Sequence, residues 1–369
     1  MTNRFERIKE YVDRLITHLD LPEKRLSATK HLSDVSSCCV LLALRRGLNP
    51  ELAAISGLLH DIYRYKTGIS MYHSHNSAEM ARVVLNNMGD CFPAQDRRII
   101  LSAIFHHSDK LNVHGAYDEV LKDADILSRF LNDGGPCLAF KYLNQQAWVQ
   151  RLKKMQQELK LAFDFPDEFN TSEYSKVDDS INKRMILADV AERIAATPVT
   201  GSRQDPSFMN LIRYWPEDIA PEGLINGWCA AFVYHCCQEA GFLLPIRWLN
   251  EDRFAGVSAW YNWARMTGYF IKDETGVIPQ RGDIILYHNI IPLENRLDGQ
   301  KDISIDHIGV ILASDSKTCI VAEGNVNNKN TSGILTRLLH KNVEGYIRID
   351  NSFSYDDWVF DYSNETYKS

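Results

Sequence analysis

The chain has 369 residues, enough for two domains or three, and its 45% hydrophobic and 24% charged residues are those of a globular protein with real cores. A surplus of 48 acidic over 41 basic side chains leaves a net charge of −7, which argues against a broad nucleic-acid-binding face. No apolar run approaches the ~18 residues that span a bilayer, so no membrane segment is expected.

The first ten residues, Met1 to Glu10, are charged and amphipathic and contain no apolar signal core; the expected compartment is the cytoplasm. The eight cysteines agree with thiols kept reduced there. The adjacent pairs Cys38-Cys39 and Cys236-Cys237 lie in helix-like stretches where neighbouring side chains point apart, and no C-x-x-C pair suggests a zinc knuckle.

Helical periodicity dominates residues 1 to 195. Leu32, Val35, Cys39 and Leu42 recur at helical spacing after His31. Asn49-Pro50-Glu51 is a helix start, with Asn49 as cap and Pro50 at the first helical position. The helix that follows carries Leu52, Ile55, Leu58 and Leu59 and runs into His60-Asp61. Asn76-Ser77-Ala78-Glu79 has the form of a capping box for the next helix, and the pattern of 146–163 predicts another amphipathic helix.

Residues 196–206, rich in Pro, Gly and small polar residues, are the expected linker. Beyond them one helix-like segment runs from Cys229 to Ala240-Gly241. β-like runs follow at 283–287, 307–313, 318–323, 333–339 and 345–349. A helix followed by an antiparallel sheet is an α+β arrangement. The expected chain is therefore multidomain: an all-α domain over 1–195 with its core at 25–132 and a helical extension, a linker at 196–206, an α+β domain at 207–350 and an acidic, aromatic tail at 351–369.

A thiol attacks amides as thiolate, a form favoured at a helix N-terminus and beside an imidazole. Cys229 opens its helix in Gly227-Trp228-Cys229-Ala230-Ala231-Phe232-Val233. Its expected base is a histidine held by a third polar group. His307 begins one strand, and Glu323 and Asn325 end the next. Across a hairpin turning at Ser314–Lys317, a three-residue loop sets Asn325 opposite His307, a four-residue loop Gly324 and a five-residue loop Glu323. Spacing alone leaves Glu323 and Asn325 both open as the partner of His307.

These segments, with Pro279-Gln280-Arg281-Gly282-Asp283-Ile284-Ile285, Asp306-His307-Ile308-Gly309-Val310 and Glu323-Gly324-Asn325, resemble the CHAP family, cysteine, histidine-dependent amidohydrolases and peptidases of papain-like fold. The resemblance implies that Cys229 is the nucleophile and His307 the base. Glu323 and Asn325 match the orienting and oxyanion-supporting positions, and Gly282-Asp283 a structural turn.

The first half carries a second cluster. Imidazole and carboxylate side chains suit divalent transition metals and phosphate chemistry. Neighbours such as His60 and Asp61 splay by ~100° on a helix, so both reach one metal only at a helix end. Lys122-Asp123-Ala124-Asp125 offers two carboxylates. The segments Lys30-His31-Leu32, Gly57-Leu58-Leu59-His60-Asp61-Ile62, His73-Ser74-His75-Asn76-Ser77-Ala78, Ile104-Phe105-His106-His107 and Ala124-Asp125-Ile126-Leu127 resemble, in order, the HD superfamily of metal-dependent phosphohydrolases, an all-helical fold. The resemblance implies a first metal on His31, His60, Asp61 and Asp125, with Asp61 also orienting a water. His73, His106 and His107 fall where a second metal or a phosphate pocket is placed. The cofactor expected is a divalent ion among manganese, iron, cobalt, nickel and zinc. The expected function is a bifunctional hydrolase acting on a small phosphoester or nucleotide and on a peptide or amide; the alternatives are a cysteine-dependent amidase or peptidase regulated by a non-catalytic, nucleotide-sensing HD-like domain, and a non-enzymatic assembly or signalling module.

Overall fold

The computed structural model describes residues 4–132, 146–162, 182–217, 219–225, 227–248, 252–274, 277–295, 305–355, 359–361 and 366–368. The chain divides into two compact units between Lys176 and Val177. Among the described residues no helix is long and apolar enough to cross a membrane.

The first unit is helical: α1 (Arg4–Thr17), α2 (Pro22–Arg45), α3 (Pro50–Leu59), α4 (Ile62–Thr67), α5 (His73–Asn87), α6 (Ala94–His106), α7 (Ala116–Asn132) and α8 (Gln146–Leu159). Asn49 caps α3 as its sequence predicts, its side chain accepting from the N–H groups of Glu51 and Leu52. Every residue of α3 from Leu52 to Leu59 is buried. It is the central rod of the unit, packed on α2, α6 and α7. The stripe Leu32, Val35, Cys39 and Leu42 of α2 faces that core.

The capping box expected at Asn76 does not form. Helix α5 starts three residues earlier, and Asn76 and Ser77 are buried within it. Ser77 instead uses its hydroxyl to accept the Tyr63 N–H. The residue before α5, Tyr72, is left-handed at φ 48°, a conformation that costs a bulky side chain energy and clusters at functional sites.

The second unit contains α9 (Lys183–Ala195), α10 (Pro206–Ile212), α11 (Ala220–Leu224), α12 (Cys229–Glu239) and α13 (Val257–Thr267). Strands β1 (Arg247–Trp248) and β2 (Asp252–Arg253) pair, as do β9 (Val359–Asp361) and β10 (Thr366–Lys368). The main sheet joins β3 (Phe270–Lys272), β4 (Ile284–His288), β5 (Ile305–Ser314), β6 (Thr318–Glu323), β7 (Gly333–Leu338) and β8 (Val343–Ile347). Its order is β3-β8-β4-β5-β6-β7, antiparallel throughout. Ile285, Tyr287, Ile311, Cys319, Val321, Val343 and Tyr346 form a buried core on it. The five expected runs are all strands; β3, only three residues long, carries too little alternation to be seen in the sequence.

The boundaries expected at 195 and 196–206 need correction. Helix α9 packs on α12 and on β5, β6 and β7, burying Leu187, Ala188, Val190, Ala191 and Ala195; it belongs to the second unit. Residues 196–206 are bound in rather than spanning open space. Val199 exchanges hydrogen bonds with Ser332, Thr200 bridges to Thr331, and Gly201 donates its N–H to the Asn330 carbonyl. The start of the expected tail is docked as well, since Phe353 packs edge-on against Trp263 and Tyr269 and Tyr355 is buried. Asp283 is structural, as expected: it accepts from the Gln280 N–H and from the Arg348 guanidinium.

The apolar face of α9 contributes on the order of 5 kcal/mol to the second unit. A fragment of residues 177–369 is therefore expected to unfold cooperatively in urea, and one of residues 207–369 to be destabilised by about that amount or fail to fold. Equal stability would put the boundary back at 196–206.

Candidate metal centre and candidate cysteine site

The first unit gathers its metal-type residues from six helices, four of them at helix ends and His31 and Asp125 from helix interiors. His60 caps the C-terminus of α3 and Asp61 begins α4. The helix break between them lets both neighbours face one point. His31 comes from α2, His73 opens α5, His107 caps α6 and Asp125 lies on α7.

Three backbone carbonyls set the imidazoles. Nδ1 of His60 donates to Gly57 at 2.8 Å, that of His73 to Ser70 at 2.7 Å and that of His107 to Ile104 at 2.7 Å. A carbonyl only accepts, so the proton of each neutral ring sits on Nδ1 and Nε2 presents a lone pair.

Those lone pairs converge. His31 Nε2 lies 3.2 Å from His60 Nε2, 3.6 Å from Asp61 Oδ2 and 3.6 Å from Asp125 Oδ1. His73 Nε2 and His107 Nε2 are 3.2 Å apart and lie 3.3 and 3.4 Å from Asp61 Oδ1. Asp61 thus turns one oxygen to each pair of imidazoles. Its Oδ1 is buried without a hydrogen-bond partner. Burial pushes the His60 imidazole down to about 3 and that of His73 to about 4, so both rings are neutral ligands at pH 7. Burial opposes the charge on Asp61, but His60, His107 and His31 outweigh it and hold the carboxyl well below the usual range.

Acceptors packed against acceptors suit a shared cation. The imidazole–imidazole spacings of 3.2 Å and the approaches of His73 and His107 to Asp61 at 3.3 and 3.4 Å fall within the edges, roughly 3.0–3.4 Å, of octahedra and tetrahedra built on metal–nitrogen bonds of ~2.1 Å, and the approaches at 3.6 and 3.8 Å are slightly wider. Among the described residues two groups have their donor atoms within 4.8 Å of one another, His31–His60–Asp125 and His60–Asp61–His107.

His106 is not among them. Its Nδ1 pairs with Asp118 Oδ2 at 2.9 Å and its ring stacks on His114 at 4.0 Å. One position before the helix cap, it faces away from His107. Of the two carboxylates near 125, Asp123 is taken by Arg46 and Arg151. Asp125 meets the site and is steadied by Lys110 at 2.9 Å and Arg129 at 3.0 Å. Lys110 has no spacing that marks it in the sequence, whereas Arg129 lies four residues after Asp125 and Arg64, 3.5 Å from Asp61 Oδ2, three residues after Asp61, both helical ion-pair spacings.

In the second unit Cys229 is the first residue of α12 and is buried. Two close approaches bring that helix end to the sheet. A Cβ on Gly324 would lie 2.5 Å from Phe232 Cβ and 2.9 Å from the Trp228 ring, so only glycine lets α12 dock on the end of β6. A Cβ on Gly309 would meet Glu323 Cγ at 2.9 Å, so its absence leaves room for the Glu323 side chain.

The hairpin settles which residue His307 meets. A register shift between Ile311 and Ala313 leaves Val310 opposite Ala322. Counting on from that pair sets Gly309 against Glu323 and His307 level with Asn325. Yet Asn325 has left the strand in a left-handed turn at φ 50°. Its Nδ2 donates to Asn328 and its Oδ1 accepts the Asn330 N–H. Glu323 reaches His307 on the diagonal, Oε2 lying 3.0 Å from Nε2. Asn325 acts one step away: its loop carries Asn330, whose Oδ1 accepts the Trp228 indole N–H beside Cys229.

Burial disfavours charge on His307, but Cys229 and Glu323 beside it raise its pKa to about 10. Glu323 is lowered despite its burial, by His307 and by Arg337. Nδ1 of His307 is buried and has no hydrogen-bond partner, and Cys229 stands beside the ring. Arg337, unnoticed in the sequence, holds both oxygens of Glu323.

Comparison with models of known families matches residues 29–129 to the HD domain and residues 221–325 to the CHAP domain. Both expected kinships are thereby shown, with the helical and antiparallel-sheet folds they imply. HD and CHAP are hydrolase families, so the chain is a hydrolase, and HD domains bind divalent metals. No curated protein and no solved structure matches the chain.

The raised pKa of His307 has a definite sign. The folded state holds that proton more tightly than the unfolded chain, whose histidines titrate near ~6.5. Its stabilisation is full below that pH and is lost as pH rises through about 10. The stability of the protein relative to His307→Gln should therefore decline across this window in urea titrations; a pH-independent difference would contradict the assignment. For the first unit, His106→Ala should leave bound-metal content unchanged while His60→Ala lowers affinity at least roughly tenfold, read by mass spectrometry of bound metals after dialysis. Equal losses in the two variants would restore His106 to the ligand set.

Proposed function

We propose, for a chain that carries an HD domain and a CHAP domain, that the two are separate catalytic centres of one bifunctional hydrolase. The first would cleave a small phosphoester of nucleotide type, the second an amide or peptide bond. The observation that carries the phosphoester reading is Asp61, whose buried oxygens each face a pair of imidazoles. The seven described cysteines are all free thiols, in keeping with work in the reducing cytoplasm.

In the first centre His31, His60, Asp61 and Asp125 would hold one divalent cation, and His73 and His107 with Asp61 a second. Such a cation, when bound, supplies Lewis acidity toward a phosphoryl oxygen and makes water acidic enough to serve as a nucleophile at neutral pH. Asp61 orients the attacking water and accepts its hydrogen bond. Arg64, whose side chain is 41% exposed, and Arg129 bring positive charge to the rim for an anionic substrate. The Nδ1–carbonyl bonds keep the rings from turning during turnover.

In the second centre the Cys229 thiolate attacks the amide carbon while His307 carries a proton. The N-terminal end of α12 supplies backbone N–H groups to the developing oxyanion. The C–N bond breaks as His307 passes its proton to the departing amine, leaving a thioester. His307 then takes a proton from water, which attacks the thioester and releases the acid and Cys229. Glu323 keeps the ring oriented and stabilises the imidazolium.

The test is metabolite profiling of an extract incubated with metal-loaded wild type, Cys229→Ala and Asp61→Ala proteins. Phosphoester cleavage should vanish only with Asp61→Ala and amide cleavage only with Cys229→Ala, each by at least ~10³-fold. Phosphate release that survives Asp61→Ala, or amide cleavage that survives Cys229→Ala, would defeat the corresponding half.

A further inference from the structure

Glu323 is wholly buried, and a buried carboxylate on three rotatable bonds does not by itself stay aimed at one imidazole nitrogen. Its second partner is Arg337 on β7. Arg337 pairs across the sheet with Cys319, four residues before Glu323 on β6. Its side chain therefore runs along the strand direction, beside Val321, to the carboxylate. Nε donates to Oε1 at 2.9 Å and Nη2 to Oε2 at 2.6 Å, a side-on fork that fixes the carboxylate plane. The guanidinium lies 5.7 Å from the Tyr287 ring centroid on β4, and Nη2 also reaches Asn327 Oδ1 at 3.4 Å. Tyr287 in turn packs 6.3 Å from the His307 ring.

We propose that Arg337 is a positioning residue of the cysteine site: by gripping both oxygens of Glu323 it fixes the one, Oε2, that accepts the hydrogen bond from His307 Nε2. The inference rests on the reading of Cys229 and His307 as nucleophile and base. The charged and titratable groups around Glu323 come from each packed element: His307 from β5, Tyr287 from β4, Arg337 from β7 and Cys319 from β6 itself. His307 is faced in addition by Cys229 on α12. Arg337 acts on the imidazole through Glu323. Without the fork the carboxylate swings toward water or takes a proton, and His307 loses its anchor. Lysine keeps the charge but cannot reproduce the two parallel N–H bonds.

The full-length chain serves for the test, with iodoacetamide as probe so that no substrate is needed. Arg337→Met should slow alkylation of Cys229 at pH 7 roughly tenfold and lower the His307 titration midpoint, followed by NMR, by about one unit or more toward that of Glu323→Gln. Arg337→Lys should fall between. In a Glu323→Gln background, Arg337→Met should change neither readout further, because the residue acts through the carboxylate. Removing both members also avoids leaving one buried charge unpaired, so this pair of variants stays informative if the single variant folds poorly. A His307 midpoint that does not fall in Arg337→Met, or an equal slowing in the Glu323→Gln background, would overturn the proposal. Alkylation indifferent to His307→Gln would overturn the cysteine-site reading itself, and the positioning role with it; alkylation that depends on His307 but not on Arg337 would remove the positioning role alone.

Discussion

Burying a carboxylate costs several kcal/mol unless positive charge or donors surround it, and each centre is arranged around one such group. Glu323 is surrounded by an imidazole and a bidentate guanidinium, and its pairing closes within the protein. Asp61 faces four imidazoles, and three of them, His60, His73 and His107, have their Nδ1 protons committed to backbone carbonyls. Arg64 reaches Asp61 Oδ2 at 3.5 Å, but Asp61 Oδ1 has no hydrogen-bond partner within the protein, and a cation would complete it. The same physical constraint thus yields a self-contained site in one unit and a metal-dependent one in the other.

Both centres also depend on where helices stop. The break between α3 and α4 turns His60 and Asp61 from diverging neighbours into converging ones. In the second unit the start of α12 presents Cys229, and Gly324 lets that helix end lie against the sheet. The strain at Tyr72, just before His73, falls at the same kind of junction, where backbone is bent so that a side chain reaches the site.

Much of this was legible in the residues. Local signals sufficed for α3, whose Asn-Pro start is a short-range device, and for the alternating strands. They misled at Asn76-Ser77, which are buried inside a helix already begun at His73, with the Ser77 hydroxyl accepting the Tyr63 N–H, and at 196–206, where a loop-like composition belongs to a segment hydrogen-bonded along its length. The choice between Glu323 and Asn325 was not legible, because a register shift inside β5 and a left-handed turn at Asn325 decide it. His106 followed the expected order of histidines, yet one residue of helical rotation carries it to Asp118. Arg337 and Lys110 left no trace, since ion pairs between distant segments have no spacing rule; Arg129, four residues after Asp125 on α7, stands at a helical spacing that the sequence does carry.

The most direct test of the account concerns Asp61 as a carboxylate shared by two cations. Manganese(II) would be titrated into the metal-free protein and followed by low-temperature electron paramagnetic resonance. Two ions per chain with an exchange-coupled spectrum are expected, reverting to an isolated ion in Asp61→Asn. An isolated six-line signal at every loading of the wild type, or no bound manganese at all, would contradict it.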